Sequence, residues 1–234
     1  MDIIIRTTGE RTENKCITEA QKQGNVHIIR AFPFGESIRQ TYKMALDIGQ
    51  EFIPVVDADV ILKPGVLKQA MQEMATKNKN IFCLDGKTNC KVMLQNRRAG
   101  IHIYRTSMIE TAYKFIDDNH IKPESNVRRS MVKLGFPTYS SKIIFGLHDW
   151  EQYYKDLWRK TVLQTYKLAK MIGNRPQKWK RLSENDLDYK VIFHAHNYGK
   201  TLDRNTFRID ARKDYGAVDG LQKLEIEEKG EMAA

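Results

Sequence analysis

The chain has 234 residues, 41% hydrophobic and 29% charged, the balance of a soluble globular protein long enough to bury a sizeable core. No apolar run approaches the ~18 residues that span a bilayer, Met1 leads into a short apolar run that meets an arginine and two threonines rather than into a secretion signal, and Cys16, Cys83 and Cys90 form no CxxC pair. These features speak against a membrane span, a disulfide framework and a structural zinc, and predict a cytoplasmic protein. The net charge of +10 is concentrated: between Lys155 and Arg181 stand nine Lys/Arg against one acid, Asp156, which suggests either an acidic partner or a solvated helix face.

In chain order, residues 3 to 6 (IIIR) read as a buried strand and 12 to 23 as a helix with Cys16, Ile17 and Ala20 inward and Gly24 as its stop. A second strand covers 26 to 30. Residues 36 to 48 place Ile38, Tyr42, Ala45 and Leu46 on one helical face, with Gly49 behind. A strand at 52 to 56 is followed by a helix with Pro64 in its first turn and Leu67, Ala70, Met71 and Met74 on one side, then by a strand at 81 to 84. This alternation predicts an α/β, Rossmann-like, mostly parallel sheet with helices on both faces.

The second half is less regular. A strand is expected at 99 to 104, then a helix from a Ser107/Glu110 capping box to about Asn119. A polar stretch with Pro123 and Pro137 leads to a strand at 142 to 147. A long basic helix carrying Trp150, Tyr153, Tyr154, Leu157 and Trp158 is expected from Asp149 to Gly173, and a strand at 189 to 199. The last fourteen residues, LQKLEIEEKGEMAA, read as a frayed or disordered tail. There is no internal repeat.

The stretch FIPVVDADVILKPGVL ends a buried strand with Asp57 and Asp59. A carboxylate leaving water without a partner costs several kcal/mol or neutralises itself, so a cation is expected there. Strand alternation would point both aspartates to one side, at the carboxyl end of a doubly wound sheet where ligands bind. Such a pair suits a hard divalent cation, Mn2+ or Mg2+, bridged to phosphate oxygens, although D-x-D is more often a turn or a helix start.

The block FGESIRQTYKMALDIGQEFIPVVDADVILKPGVL resembles the central block of the GT-A glycosyltransferases, especially the large inverting family that contains cellulose and hyaluronan synthases. The resemblance implies a GT-A-like catalytic domain over 1 to 199, with 1 to 98 as the nucleotide-binding half, 99 to 199 as the acceptor half and 200 to 234 as a C-terminal extension. It implies a nucleotide-sugar donor and a metal held by Asp57 and Asp59, Asp57 also approaching the ribose. Thr7, Thr8 and Arg11 would sit over the nucleobase, Ser37 and Arg39 beside the nucleoside or diphosphate, and Gly100 in RRAGIHIYRTSMIETA at the sugar pocket. In FGLHDWEQYYKDLWRK, Asp149 would be the base of an inverting reaction and Glu151 its reserve; a plain helix N-cap is the competing reading of Asp149.

The sequence departs from that family in three places, the first being His148, which stands where the family carries the first acid of the pair before the long helix. Only 56 residues precede the D-x-D, so one strand–helix unit is missing, and VHIIRAFPFG lacks the acid that reads the base. In many GT-A enzymes a C-terminal histidine completes the metal site. His194 and His196 in VIFHAHNYGK, as strand neighbours facing one side, would serve, with His148 as a third possibility and manganese as the preferred metal. The basic stretch would meet a phosphorylated or lipid-linked saccharide acceptor, with peripheral contact to an anionic membrane face. Two other functions stay open. A sugar nucleotidyltransferase would need a glycine-rich triphosphate loop where RTTGERT has one glycine, and a nucleic-acid-binding module would rest on the basic segment alone; no nucleic acid is expected as a partner.

Overall fold

The computed structural model describes residues 1–120, 122–203 and 213–232, with only the backbone of Lys170. The chain forms two compact units, Met1–Cys90 with Gln95–Trp150, and Lys91–Leu94 with the chain from Glu151 onward.

The first unit contains β1 (Asp2–Arg6), α1 (Glu13–Gln21), β2 (Asn25–Ile29), α2 (Phe34–Ile48), β3 (Phe52–Asp57), β4 (Val60–Leu62) and α3 (Val66–Ala75). It continues through β5 (Cys83–Cys90), β6 (Gln95–Arg105), a 3-10 turn at Thr106–Met108, α4 (Ile109–Tyr113), α5 (Pro123–Lys133) and β7 (Thr138–His148). The sheet order is β2-β1-β3-β6-β5-β7-β4. Strands β2, β1 and β3 are parallel, β6 is antiparallel to both β3 and β5, β7 runs parallel to β5, and β4 is antiparallel to β7.

Strands β1 and β3 read as unbroken apolar runs because both of their faces are covered. Successive residues divide between two cores. Ile3, Ile5 and Val56 pack with Cys16 and Ala20 of α1 and Leu67, Ala70 and Met74 of α3. Ile4, Ile53 and Val55 pack with Ile38, Tyr42 and Ala45 of α2, Ile109 of α4, and Val127 and Met131 of α5. Each fully buried side chain of this size contributes about 1.5–3 kcal/mol, and truncating Leu67 to Ala would cost about 2–5 kcal/mol. Helix α2 ends where Gly49 takes φ 71° and returns its N–H to Ala45 O.

Several expectations for this unit change. Pro64 stands before α3 rather than in its first turn, since Gly65 is the N-cap and Val66 the first helical residue; β4 was not expected, and the strand expected at 81 to 84 is β5, Cys83–Cys90. The helix from Ser107 to Asn119 is only the 3-10 turn and α4, with no side-chain cap, and Asp117 holds the Asn119 N–H at 2.9 Å in an Asx turn. The polar stretch after it contains α5, with Pro123 in its first turn. Only Pro123, Glu124, Val127 and Met131 of that helix are buried, too few for an apolar stripe to show in the sequence.

The second unit is helical: α6 (Tyr154–Lys167), α7 (Ala169–Ile172), α8 (Arg175–Leu182), α9 (Leu187–Thr201) and α10 (Ala217–Lys223). The expected helix start at Asp149 is displaced to Tyr154, because Asp149 and Glu151 take left-handed φ of 62° and 57°. The expected strand at 189 to 199 is α9. Asp186 caps it through the Asp188 N–H, and its buried residues Val191, Ile192, Ala195 and Gly199 follow a helical period. Gly199 lets α9 approach α6, since a Cβ there would lie 3.3 Å from Thr165 Cβ. Trp179 of α8 is buried and donates to Val92 O at 2.9 Å.

The expected disordered tail is instead anchored at two points, Leu221 and Glu228, while most of its described residues stay exposed. Gly220 lies flat against the Trp158 ring, Leu221 is buried, and Glu228 accepts the N–H groups of Tyr154 and Lys155 at 2.6 and 2.9 Å, capping α6. Among the described residues no helix is long and apolar enough to cross a membrane.

Candidate active site

In the parallel part of the sheet the chain passes from β1 outward to β2 and then back across β1 to β3. The direction of winding therefore reverses between β1 and β3, and the crevice at their carboxyl ends is where an open α/β sheet binds ligands. Arg6 and Asp57 are register partners at that end. The cation that the sequence demanded for Asp57 is Arg6: its Nε and Nη2 lie 2.8 and 2.7 Å from Asp57 Oδ1.

Arg6 is 4% exposed and is itself held from behind. Its Nη1 donates to Glu124 Oε1 at 2.7 Å, which also accepts the Tyr104 hydroxyl at 2.8 Å. Glu124 Oε2 lies 3.0 Å from His102 Nε2, His102 Nδ1 lies 2.8 Å from Asp85 Oδ1, and Arg128 Nη1 donates to the same oxygen at 2.8 Å. A row of alternating charge thus runs behind Asp57 through Arg6, Glu124, His102 and Asp85 to Arg128. Burial alone would push the Glu124 carboxyl up, but Arg6 and His102 outweigh it and hold it well below the usual range. Burial would lower His102, yet Glu124 and Asp85 prevail over burial and Arg128 and raise it.

Asp59 is not on the strand. Strand β3 ends at Asp57, Ala58 and Asp59 form a turn, and β4 begins at Val60, so the one-sided placement expected from strand alternation does not apply. The carboxylates are neighbours nonetheless: burial is the main influence raising Asp57, Arg6 opposes it, and the Asp59 charge adds to it. Asp59 has its own cationic neighbour, His148, whose Nε2 lies 3.6 Å from Oδ2. The other ring nitrogen, Nδ1, is 2.8 Å from Asp149 Oδ2. Cys90 Sγ lies 3.4 Å from each of those two atoms. Burial would lower His148, but Asp149, Asp59 and Cys90 raise it well above its ordinary value.

Asp149 is therefore neither a helix cap nor the first residue of a helix. It follows β7 directly, is 1% exposed, and donates its backbone N–H to Asp59 O at 3.1 Å, locking the D-x-D turn. Gly100 lies against the same turn. It takes φ 72°, and a Cβ there would come 2.5 Å from Val60 Cγ2, 3.2 Å from His148 Cδ2 and 3.6 Å from Asp59 Oδ1.

The loop after β1 closes on its own acids. Thr7 Oγ1 lies 2.8 Å from Glu10 Oε2 and 2.5 Å from Glu13 Oε2, and Thr8 gives both its N–H and its hydroxyl to Glu10. Thr12 Oγ1 donates to Ala58 O at 2.8 Å, fastening this loop to the D-x-D turn. Arg11 is partly exposed on the same loop. Ser37 is buried on α2 (5% exposed), and Arg39 is engaged by Asp118 at 2.7 Å. Phe34, 40% exposed, stands 5.0 Å from the Arg6 guanidinium. Glu124, Asp85, Arg128 and Cys90 are members that no motif or spacing along the chain marked.

A hard cation fits the two aspartates. Both offer carboxylate oxygens, the Asp57 side chain is 29% exposed, its contacts with Arg6 both use Oδ1, and a divalent ion would offset the burial and the Asp59 charge that raise Asp57. The two C-terminal histidines lose the basis of their assignment. On helix α9 residues two apart point about 200° apart, not to one face. His196 is buried, with Nδ1 3.0 Å from Thr165 Oγ1 and its ring edge-on to Trp179, whereas His194 is exposed. Glu151 is exposed and belongs to the second unit.

No protein-family model matches the sequence, and no curated protein matches it. Similar solved structures include the mannosyltransferase PcManGT from Pyrobaculum calidifontis in complex with GDP-Man and Mn2+, at 9% identity and TM-score 0.48, covering 96% of this chain and 74% of that one. A glycosyltransferase involved in glycosylation of the major capsid of PBCV-1 is similar at 12% identity and TM-score 0.42, over 60% of this chain and 80% of that one. A cytidylyltransferase from Leptospira borgpetersenii serovar Hardjo-bovis is similar at 14% identity and TM-score 0.41, over 79% and 96%.

Proposed function

We propose that the protein is a GT-A-like, metal-dependent glycosyltransferase that moves a sugar from a nucleotide-sugar donor to a hydroxyl of a saccharide or lipid-linked saccharide. The observation that carries this reading is the carboxylate pair Asp57 and Asp59 at the winding reversal between β1 and β3, beside a tight turn fastened by Thr12 and Asp149. Asp57 and Asp59 would hold Mn2+ or Mg2+, which when bound neutralises charge gathering on a departing diphosphate. Arg6, fixed by Glu124, keeps Asp57 oriented and balanced, so little reorganisation is needed when the donor arrives. Gly100 keeps the wall beside Asp59 free of a side chain, and Phe34 offers an exposed apolar face next to Arg6. The base role expected for Asp149 is not retained, because its carboxylate is 1% exposed and engaged by His148.

The test is product analysis with a panel of nucleotide-sugars, Mn2+ and simple saccharide acceptors. Release of nucleoside mono- or diphosphate with a glycosylated product, lost in Asp59→Ala, supports the reading. Release of pyrophosphate from a nucleoside triphosphate and a sugar phosphate would make the protein a nucleotidyltransferase instead, and undiminished transfer by Asp59→Ala would remove the metal pair from the chemistry.

A further inference from the structure

We propose that Cys90, His148 and Asp149 form a second, thiolate-containing metal site, suited to Zn2+ and distinct in its donors from the Asp57–Asp59 pair. Three chain segments converge to make it: the end of β5 gives Cys90, the end of β7 gives His148, and the turn after β7 gives Asp149. All three side chains are buried, and Sγ, Nδ1 and Oδ2 lie within 3.4 Å of one another.

The spacing has the size of a tetrahedral centre. Zinc bonds of ~2.0–2.3 Å put neighbouring donor atoms about 3.3–3.6 Å apart. The two sulfur distances, 3.4 Å each, fall in that range. The third, 2.8 Å from Nδ1 to Oδ2, is the ring–carboxylate hydrogen bond whose proton a metal would replace. Binding releases that Nδ1 proton and the thiol proton, so the ion meets a thiolate, a neutral imidazole and a carboxylate. Three protein donors leave the fourth tetrahedral position for water or a substrate atom.

The outer ring nitrogen supports the assignment. A metal-ligating histidine regularly gives its other N–H to a carboxylate, which fixes the ring. Here His148 Nε2 faces Asp59 Oδ2 at 3.6 Å, so Asp59 would serve as that carboxylate and His148 would join the thiolate site to the D-x-D turn. The soft sulfur donor separates the two sites: thiolate with imidazole favours Zn2+, whereas carboxylate oxygens favour Mg2+ or Mn2+.

A second cluster of the same residue types shows the contrast. Cys83, Asp85 and His102 also lie close together. There a protein cation already occupies the middle: Arg128 Nη1 is 2.8 Å from Asp85 Oδ1 and 2.7 Å from His102 Nδ1. That cluster is an ion-pair network rather than a metal site.

The thiolate site stands whether or not the donor is a nucleotide-sugar. The experiment adds Co2+ to the metal-free full chain and records the near-ultraviolet charge-transfer absorption of a cobalt–thiolate bond, followed by Zn2+ displacement. One equivalent giving a thiolate band that Zn2+ removes is expected. Cys90→Ser should abolish the band and weaken Zn2+ binding at least tenfold, while Cys83→Ser and Asp57→Asn should keep the band. Circular dichroism establishes folding, and His148→Gln replaces Cys90→Ser if that variant is unfolded. Absence of a thiolate band in the folded wild type, or its persistence in folded Cys90→Ser, overturns the site.

Discussion

Replacing Glu124 with Ala takes one buried carboxylate away from three partners: Arg6 at 2.7 Å, the Tyr104 hydroxyl at 2.8 Å and His102 at 3.0 Å. The change leaves Arg6, 4% exposed, with an uncompensated inner edge. Breaking one member of a buried ion pair costs about 3–5 kcal/mol, mainly as the penalty of the charge left behind. Because Arg6 still reaches Asp57, the lower half of that range, about 3–4 kcal/mol, is expected. Urea unfolding of wild type and variant, followed by circular dichroism and compared at unchanged slope, measures it. Glu51→Ala, which cuts a pair whose acid is 73% exposed, is the control and should cost less than about 1 kcal/mol. A loss below about 1 kcal/mol for Glu124→Ala would show that the charge row does not hold Arg6.

Further outcomes follow from particular contacts. His102 has a folded-state pKa raised by Glu124 and Asp85, so its contribution is fully present below about 6.5 and is lost as pH climbs through the higher folded value. His102→Gln should therefore flatten the decline in stability above about pH 6.5 in metal-free buffer, and an unchanged pH profile would exclude this source. Gly100→Ala, at φ 72° with Val60 Cγ2 2.5 Å from the new Cβ, should destabilise by more than about 1 kcal/mol in thermal unfolding. Glu228→Ala removes the cap on the Tyr154 and Lys155 N–H groups and should cost about 0.5–2 kcal/mol, read by hydrogen exchange at the start of α6.

The strand–helix alternation of the first hundred residues was legible because both sheet faces are covered. Short unbroken apolar runs such as residues 3 to 5 and 52 to 56 suit strands buried on both sides, and Gly49 marked a helix end. Asp57 announced its need for a cation, and Arg6 was visible as the last residue of β1, but Glu124 was not. It stands 118 positions from Arg6, on a helix whose few buried residues make it look like a polar loop. The segment 189 to 199 misled for the opposite reason: the β-branched pair Val191 and Ile192 in YKVIF suggested a strand, and only packing in the second unit favours α9. The aromatics from Trp150 to Trp158 keep a helical spacing through a turn that is not helical, which drew the expected helix back to Asp149. Three cysteines without a CxxC spoke against zinc, yet donors from two distant strand ends meet without any spacing signal along the chain.

The most direct test of the carboxylate pair is calorimetric titration of the protein with nucleoside diphosphates and nucleotide-sugars, in Mn2+ and then in chelator. Binding that needs Mn2+ and weakens by about tenfold or more, a loss of about 1.4 kcal/mol, in each of Asp57→Asn and Asp59→Asn is the predicted result. Nucleotide binding of equal strength in chelator, or unchanged in both variants, would contradict it.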